Sequence, residues 1–368
     1  MQNESTRQMS LFSSFKLGQL DLPNRIVMAS MTRGRARNSG LVPTELHARY
    51  YSQRATAGLI VTEAVWVSPR AIGFTNVPGL FTSEQVAGWL RVTDAVHAAG
   101  GRIYAQLAHS GAVSHPDFFG GALPLAPSAI NPRLQSFTPG GFKQTVTPRA
   151  MTLTDIRETI GEYAAAARNA RIAGFDGVEL HAATTYLLPE FLNSALNLRT
   201  DDYGGSAENR SRIVLDVLDA LIREWGPGRI GIKVAPVFEM GGFGPTSETV
   251  ATYDYLASRL DLLPLSYLQI VRAARDLSGT PVERLQDTVR YFRARYRGAL
   301  IANLGFNQIT ASEIIESGLA DLVSFGTPFI GNPDLVRRFR RNLPIASSER
   351  STYYQGDAQG YIDYSPID

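Results

Sequence analysis

The chain has 368 residues, of which 44% are apolar and 19% charged, so it can bury a core and is not disordered as a whole. The net charge of +2 excludes a strongly basic nucleic-acid-binding surface, and no apolar run is long enough to span a membrane. Cysteine is absent, which excludes disulfides, zinc–thiolate sites, iron–sulfur clusters and cysteine nucleophiles. The start of the chain is polar and lacks the apolar region of a secretory signal, so we expect a cytoplasmic protein.

A pattern of helix-like stretches followed by short apolar runs recurs along the chain. Ala57-Gly58 precedes LIVTEA, and Ala173-Gly174 precedes FDGVELHA. Glycine just past a helix accepts the left-handed conformation that ends it, and apolar runs bounded in this way are typical of buried parallel strands. Eight such strands are predicted: Arg25 to Met31, Leu59 to Ala64, Arg102 to Leu107, Gly177 to His181, Ile230 to Ala235, Tyr267 to Arg272, Ala299 to Asn303 and Asp321 to Phe325.

Helical patterns separate most of these strands. The clearest runs from Leu153 to Ala173, with Thr152 or Thr154 as a candidate cap. Eight strands alternating with helices predict an α/β fold, a (β/α)8 TIM barrel that forms a single domain over residues 1–368. An open doubly wound sheet is the alternative, although no G-x-G-x-x-G follows a strand. Residues 110–150, rich in Pro and Gly, are predicted to form an excursion between strands 3 and 4, a lid over the barrel mouth that carries a hairpin.

Polar residues stand at nearly every predicted strand end. Active sites of (β/α)8 barrels lie at the carboxyl ends of the strands, so this ring predicts an active site. The alternative is that strand ends are polar because they meet water. The residues at the ends are Thr32, Glu63, Gln106, His181, Lys233 with Ala235, Arg272, Asn303, and Gly326 with Thr327.

Three residues of this region indicate what chemistry the site performs: Lys233, His181 and Tyr186. A lysine inside an apolar strand needs an anion or a lowered pKa. Lys233 therefore balances an electron-rich ligand ring, forms a Schiff base, or makes a buried ion pair with Glu179 or Glu63. His181 and Tyr186 suit hydrogen-bond donors or general acids, and the alternative is that both simply pack in the core.

With these residues, the chain resembles the old yellow enzyme family of FMN-dependent ene-reductases. The resemblance extends over nearly the whole chain, from LFSSFKLGQLDLPNRIVMASMTR to GYIDY, and its most specific segment is FLNSALNLRTDDYGGSAENRSR. It implies a TIM barrel that binds FMN at its mouth, accepts hydride from NAD(P)H and passes it to the β-carbon of an activated alkene.

The resemblance also implies roles for individual residues. Tyr186 matches the tyrosine that protonates the substrate α-carbon, and His181 with Thr184 matches the pair that holds the substrate carbonyl. Ala108 and Tyr354 match substrate-pocket positions. The implied cofactor-binding residues are Ala29, Thr32, Ala64, Gln106, Lys233, Asn303, Gly305, Gly326 and Thr327.

Several of these positions depart from the family pattern. Thr184 is a weaker donor than the usual Asn or His, and Ala108 replaces a tryptophan, which predicts a roomier substrate pocket. Lys233 replaces an arginine and keeps its positive charge, but lacks the planar guanidinium that can make two parallel hydrogen bonds. At the phosphate site Leu304 replaces a glycine and Thr327 an arginine, so we expect looser binding of FMN.

Two further functions compete with the ene-reductase prediction. A flavin-free barrel of the same family would use His181, Tyr186 and Lys233 for isomerisation, cyclisation or lyase chemistry. The third hypothesis is that the protein is a relative that binds a ligand without catalysis. In each case the partner is a small molecule, with no nucleic acid or membrane involved, and the protein is a monomer or homo-oligomer.

Overall fold

The structure, a computed structural model, describes residues 11–367 and shows a closed barrel of eight parallel strands. Neighbouring strands in the barrel follow chain order, and the last pairs with the first. The TIM barrel is thus confirmed and the open sheet is not formed. The polar N-terminal residues 1–10 lie outside the described residues. The barrel strands are β1 (Ile26–Met28), β2 (Leu59–Trp66), β3 (Ile103–Ala108), β4 (Gly177–Ala182), β5 (Ile230–Val234), β6 (Tyr267–Val271), β7 (Leu300–Asn303) and β8 (Leu322–Phe325).

The helices follow the strands as the sequence predicts. Thr152 caps the longest of them, its side chain accepting a hydrogen bond from the Asp155 backbone N–H, so Thr154 is not the cap. None of the helices among residues 11–367 is long and apolar enough to cross a membrane. They are α1 (Glu45–Ser52), α2 (Ser83–Ala98), α3 (Leu153–Ile172), α4 (Leu187–Leu192), α5 (Ala207–Trp225), α6 (Thr249–Leu260), α7 (Thr288–Arg293), α8 (Gln308–Glu316), α9 (Thr327–Gly331) and α10 (Leu335–Arg341).

An apolar layer fills the amino-terminal half of the barrel. A hairpin of Phe15–Leu17 and Leu20–Leu22 packs against it. Besides Leu17 and Leu22 of the hairpin, the layer is built from residues of six barrel strands, because alternate side chains of each strand point inward. Its members are Leu17, Leu22, Val27, Leu59, Val61, Tyr104, Tyr267, Ile301 and Leu322. Closure of this end leaves the carboxyl ends of the strands as the open mouth.

The excursion between β3 and α3 contains the expected hairpin, formed by Gln135–Thr138 and Gly141–Gln144. The Phe137 ring stacks on Phe142 of the same hairpin and meets Phe74 edge-on, with ring centroids 5.1 Å apart. Phe74 in turn lies 5.5 Å from the ring of Tyr354. The excursion is thereby joined to the aromatic residues at the barrel mouth.

Candidate active site at the barrel mouth

Two adjoining cavities open at the carboxyl ends of the strands. Their volumes, about 370 and 340 Å3, fall in the range of small-molecule sites. Gly326 and Thr327 line both. The larger is lined by Ala29, Ser30, Lys233, Asn303, Leu304, Gly305, Phe306, Ser324, Phe325, Gly326, Thr327 and Pro328. The smaller is lined by Met31, Thr32, Phe74, Tyr186, Gly326, Thr327, Ile330, Tyr353 and Tyr354.

Most residues singled out in the sequence therefore meet at one place. Of the cofactor positions, Thr32 faces the smaller cavity, beside Tyr186 and Tyr354. The other cofactor positions that line a cavity face the larger one: Ala29, Lys233, Asn303, Gly305, Gly326 and Thr327. Five of the predicted residues are not among those that line either cavity, although His181 contacts Tyr186, which lines the smaller one. The five are Ala64, Gln106, Ala108, His181 and Thr184.

Gln106 is held in a buried polar network inside the barrel. Its Nε2 donates to Glu179 Oε1 at 2.7 Å, and its Oε1 accepts from the Ser30 hydroxyl at 2.6 Å. Glu179 Oε2 accepts from the Tyr267 hydroxyl and from Gln269 Nε2, both at 3.0 Å. Ser30 lines the larger cavity, so its hydroxyl connects Gln106 to that cavity. Sequence reasoning missed Ser30, although it directly precedes the predicted end of β1.

Lys233 lies next to this network, and its surroundings distinguish between the two carboxylates suggested as its partner. Glu63, one suggested partner, instead accepts hydrogen bonds from the backbone N–H groups of Arg33 and Gly34. Glu179 is the carboxylate that acts on Lys233, but no ion pair closer than 4.0 Å joins them among the described residues. Burial lowers the pKa of Lys233 and raises that of Glu179. Since Lys233 also lines the larger cavity, its ammonium is placed to face a ligand.

His181 and Tyr186 come together where β4 leads into α4. Their rings are 4.9 Å apart and nearly perpendicular. Burial, reinforced by the charge of Lys233, lowers the pKa of His181 to about 3, so the imidazole is neutral at physiological pH. Its Nδ1 is buried and has no hydrogen-bond partner among residues 11–367. Burial also raises the pKa of Tyr186 to about 12, which keeps the phenol protonated.

Thr184 lies between these two residues in an unusual backbone conformation. Its φ of 63° is in the left-handed region, which a β-branched residue rarely adopts. Asparagine tolerates this region better. The threonine thus places strain, as well as a shorter side chain, at the second position of the predicted carbonyl-binding pair.

Trp66 occupies the surroundings of Ala108. The two residues are register partners on β2 and β3, and both are fully buried. The Trp66 ring centroid lies 6.0 Å from that of Tyr186. Trp66 therefore lies next to the position where Ala108 predicts extra room, and the roomier pocket stays a prediction. Sequence reasoning missed Trp66 because it predicted that β2 ends at Ala64, two residues too early.

Tyr354 reaches the mouth from the far C-terminal part of the chain. Two buried arginines that follow Thr32 in sequence hold this segment. Arg33 Nε and Arg35 Nη1 both donate to the Tyr353 carbonyl, at 3.1 and 3.0 Å. The loop that carries Thr32 and the segment that carries Tyr354 therefore form one wall.

The residues present fit an FMN molecule. At the end near β5, Lys233 lines the larger cavity together with Ser30, and its ammonium makes no hydrogen bond to a described residue. A free positive charge at this place suits an electron-rich ring. At the other end lie the loops after β7 and β8, the usual phosphate site of (β/α)8 barrels. Leu304 there has a φ of 85° and is 42% exposed, so its side chain extends outward from a strained backbone.

The site places this protein among the (β/α)8 barrel enzymes that carry an acid–base site. Its members are a neutral histidine, a protonated tyrosine and a buried lysine at the barrel mouth. Comparison with known proteins narrows the class. The profile of the NADH:flavin oxidoreductase / NADH oxidase family matches residues 10–346. The chain belongs to this family, the old yellow enzymes, and is an oxidoreductase that uses FMN.

Individual relatives are similar over almost the whole chain. 12-oxophytodienoate reductase 1 of Oryza sativa subsp. japonica is 38% identical over 96% of this chain and 92% of its own length. A probable flavin mononucleotide-dependent alkene reductase of Leishmania infantum is 38% identical over 95% of each chain. Morphinone reductase, solved in complex with tetrahydroNAD, superposes with a TM-score of 0.91 at 41% identity, covering 98% of each chain. The family, the fold and the cofactor predicted from the sequence are confirmed.

Proposed function

We propose that the protein reduces the carbon–carbon double bond of an α,β-unsaturated carbonyl compound, with NAD(P)H as the source of hydride. The relatives whose names state a substrate reduce such compounds or alkenes, and the mouth of this barrel carries matching chemistry. We also propose the cytoplasm as the location, because NAD(P)H is regenerated there.

His181 binds the substrate carbonyl in this proposal. A neutral imidazole has one N–H to donate, and a donor aimed at the carbonyl oxygen stabilises the negative charge that develops on it. The low pKa of His181 keeps the ring neutral, so it withdraws electron density by hydrogen bonding and does not transfer its proton. The Thr184 hydroxyl makes no hydrogen bond to a described residue and supplies a second, weaker donor.

Tyr186 supplies the proton. Bound FMN would supply the transfer of hydride from NAD(P)H to the β-carbon. The α-carbon then needs one proton, and the Tyr186 phenol keeps its proton until that point because burial raises its pKa to about 12. Water re-protonates the phenol through the smaller cavity, which Tyr186 lines. NAD(P)H, a proton and the alkene thus give NAD(P)+ and the saturated carbonyl compound.

The flavin ring would contact residues of the larger cavity. Lys233 places a positive charge beside it, and the Ser30 hydroxyl and Asn303 offer hydrogen bonds. The Asn303 side chain is itself fixed, since its Nδ2 donates to the Ser324 hydroxyl at 2.7 Å. A positive charge near the ring favours its electron-rich reduced form.

The contact between His181 and Tyr186 carries the proposal, because it joins a neutral donor and a protonated acid at one point of the mouth. The test is anaerobic incubation of the FMN-loaded protein with NADPH or NADH and 2-cyclohexenone, with protein stripped of flavin as the control. We expect cyclohexanone to form only with flavin. If the loaded protein yields no saturated product from cyclic or acyclic enones, the proposal is refuted. Conversion of substrate by the stripped protein would establish the non-redox alternative instead.

A further inference from the structure

Arg272 stands directly behind the phosphate end of the larger cavity. It follows β6, and its Nη2 donates to the Gly305 carbonyl at 2.8 Å. Its guanidinium also lies over the Phe306 ring, 4.3 Å from the centroid. Gly305 and Phe306 both line the larger cavity. Arg272 itself lines a third cavity, and Phe306 lines both that cavity and the larger one, so this loop separates Arg272 from the space where a ligand would lie.

The guanidinium of Arg272 is largely unused. It makes one hydrogen bond out of five N–H donors, and no carboxylate of the described residues lies within 4.0 Å of it. Arg275, three residues further on, makes an ion pair with Glu239 at 2.7 Å. Since an arginine beside a cavity normally pairs with an anion, Arg272 has the capacity to bind one supplied by a ligand.

The described residues that line the cavity include no cation at this end. Lys233 is the one charged residue among those that line it, and it lies at the end of β5 beside the ring-binding residues. The phosphate site of (β/α)8 barrels is formed by the loops after the seventh and eighth strands. In this chain those loops contribute Leu304, Gly305 and Phe306, and Gly326 to Pro328, all of which are uncharged.

We propose that Arg272 binds the phosphate of FMN and supplies the charge that Thr327 lacks. The side chain is partly exposed and stacked on Phe306, so it can turn from the Gly305 carbonyl toward the cavity while the stack is kept. The planar guanidinium then binds two phosphate oxygens at once. Gly305 suits this loop because its φ of 71° lies in the left-handed region that favours glycine. This inference rests on FMN as the cofactor, whichever compound the protein reduces.

The test compares FMN with riboflavin, which has the same ring system but no phosphate. Dissociation constants for both are measured by flavin fluorescence in the wild type, Arg272→Gln and the matched control Arg275→Gln. We expect Arg272→Gln to weaken FMN by about tenfold or more and to leave riboflavin within about twofold, since a charge-assisted hydrogen bond is lost. Arg275→Gln leaves both constants unchanged, and Arg272→Lys weakens FMN less than Arg272→Gln.

Two results would overturn the inference. One is an equal loss of FMN and riboflavin in Arg272→Gln, which indicates a structural role for the arginine. The other is an FMN affinity that does not change in this variant. The binding assay is independent of turnover: a protein that prefers FMN through Arg272 but reduces no enone refutes the proposed function and leaves this inference standing.

Discussion

Replacing Lys233 with methionine tests how the charge inside the barrel is balanced. Methionine keeps the length of the side chain and removes the ammonium that acts on Glu179. Two unit charges 4 Å apart interact by about 4 kcal/mol at an effective dielectric constant of about 20. The two groups are further apart than 4.0 Å and Lys233 pays a burial cost of its own, so we expect a smaller loss of stability, about 1–3 kcal/mol.

The loss depends on pH in a direction that follows from Glu179. Burial raises the pKa of this carboxyl, so the folded state binds its proton more tightly than the unfolded chain does. Stability that depends on this proton is fully present below the unfolded pKa of about 4.3 and is lost as pH rises through the folded pKa. Lys233 lowers the pKa of Glu179, and its removal raises that pKa further. The deficit of Lys233→Met therefore grows as pH rises from about 5 to 8.

The assay is urea denaturation of Lys233→Met at these two pH values, followed by circular dichroism, with FMN titration as a separate readout. The double variant Lys233→Met/Glu179→Gln is the control, because it removes both charges. The amide N–H that Glu179→Gln introduces can donate to Gln269 once the Gln269 amide flips, because Gln269 Oε1 has no hydrogen-bond partner in the described part of the chain. We expect the double variant to recover most of the stability at pH 8 and to lose its pH dependence.

A single variant as stable as the wild type at both pH values would refute this account of charge balance. A stability deficit of equal size at both pH values would do the same. If FMN affinity is unchanged while stability falls, Lys233 is a structural residue that does not face the flavin.

Three further predictions concern the chemistry and the phosphate end. Tyr186→Phe slows alkene reduction by about 10²–10⁴-fold and leaves flavin reduction by NAD(P)H unchanged in stopped-flow measurements; equal effects on both half-reactions would exclude the proton-donor role. His181→Ala weakens binding of a carbonyl ligand by about three- to tenfold in titration calorimetry, as expected for one hydrogen bond, and unchanged binding would place the carbonyl elsewhere. Leu304→Gly relieves a left-handed backbone that costs a non-glycine residue about 1–2 kcal/mol, whereas Leu304→Ala keeps this strain. We therefore expect a higher denaturation midpoint for Leu304→Gly than for Leu304→Ala, and equal midpoints would show that the strain is absent.

The sequence by itself determined the elements of the barrel and their order. All eight strands lie where the apolar runs predicted them, with ends that differ by no more than three residues, as β1 shows (Arg25 to Met31 expected, Ile26–Met28 found). Each strand can be recognised from its own stretch of sequence. A strand buried on both faces of the sheet requires a continuous apolar run, and glycine marks the end of the preceding helix. The positions of His181, Tyr186 and Lys233 at the mouth also follow from the sequence, since strand polarity places every carboxyl end on the same side.

Only the tertiary structure decided which of these side chains meet. Closure of the barrel brings Trp66 beside Ala108 and Gln106 against Glu179, and these contacts depend on register between strands that the chain separates by more than 40 residues. The approach of Arg272 to Gly305 likewise depends on how two neighbouring loops turn after their strands. Sequence patterns record whether a residue is buried and on which face of its own strand it lies. They do not record the register with the next strand, and it is this register that assembles the site.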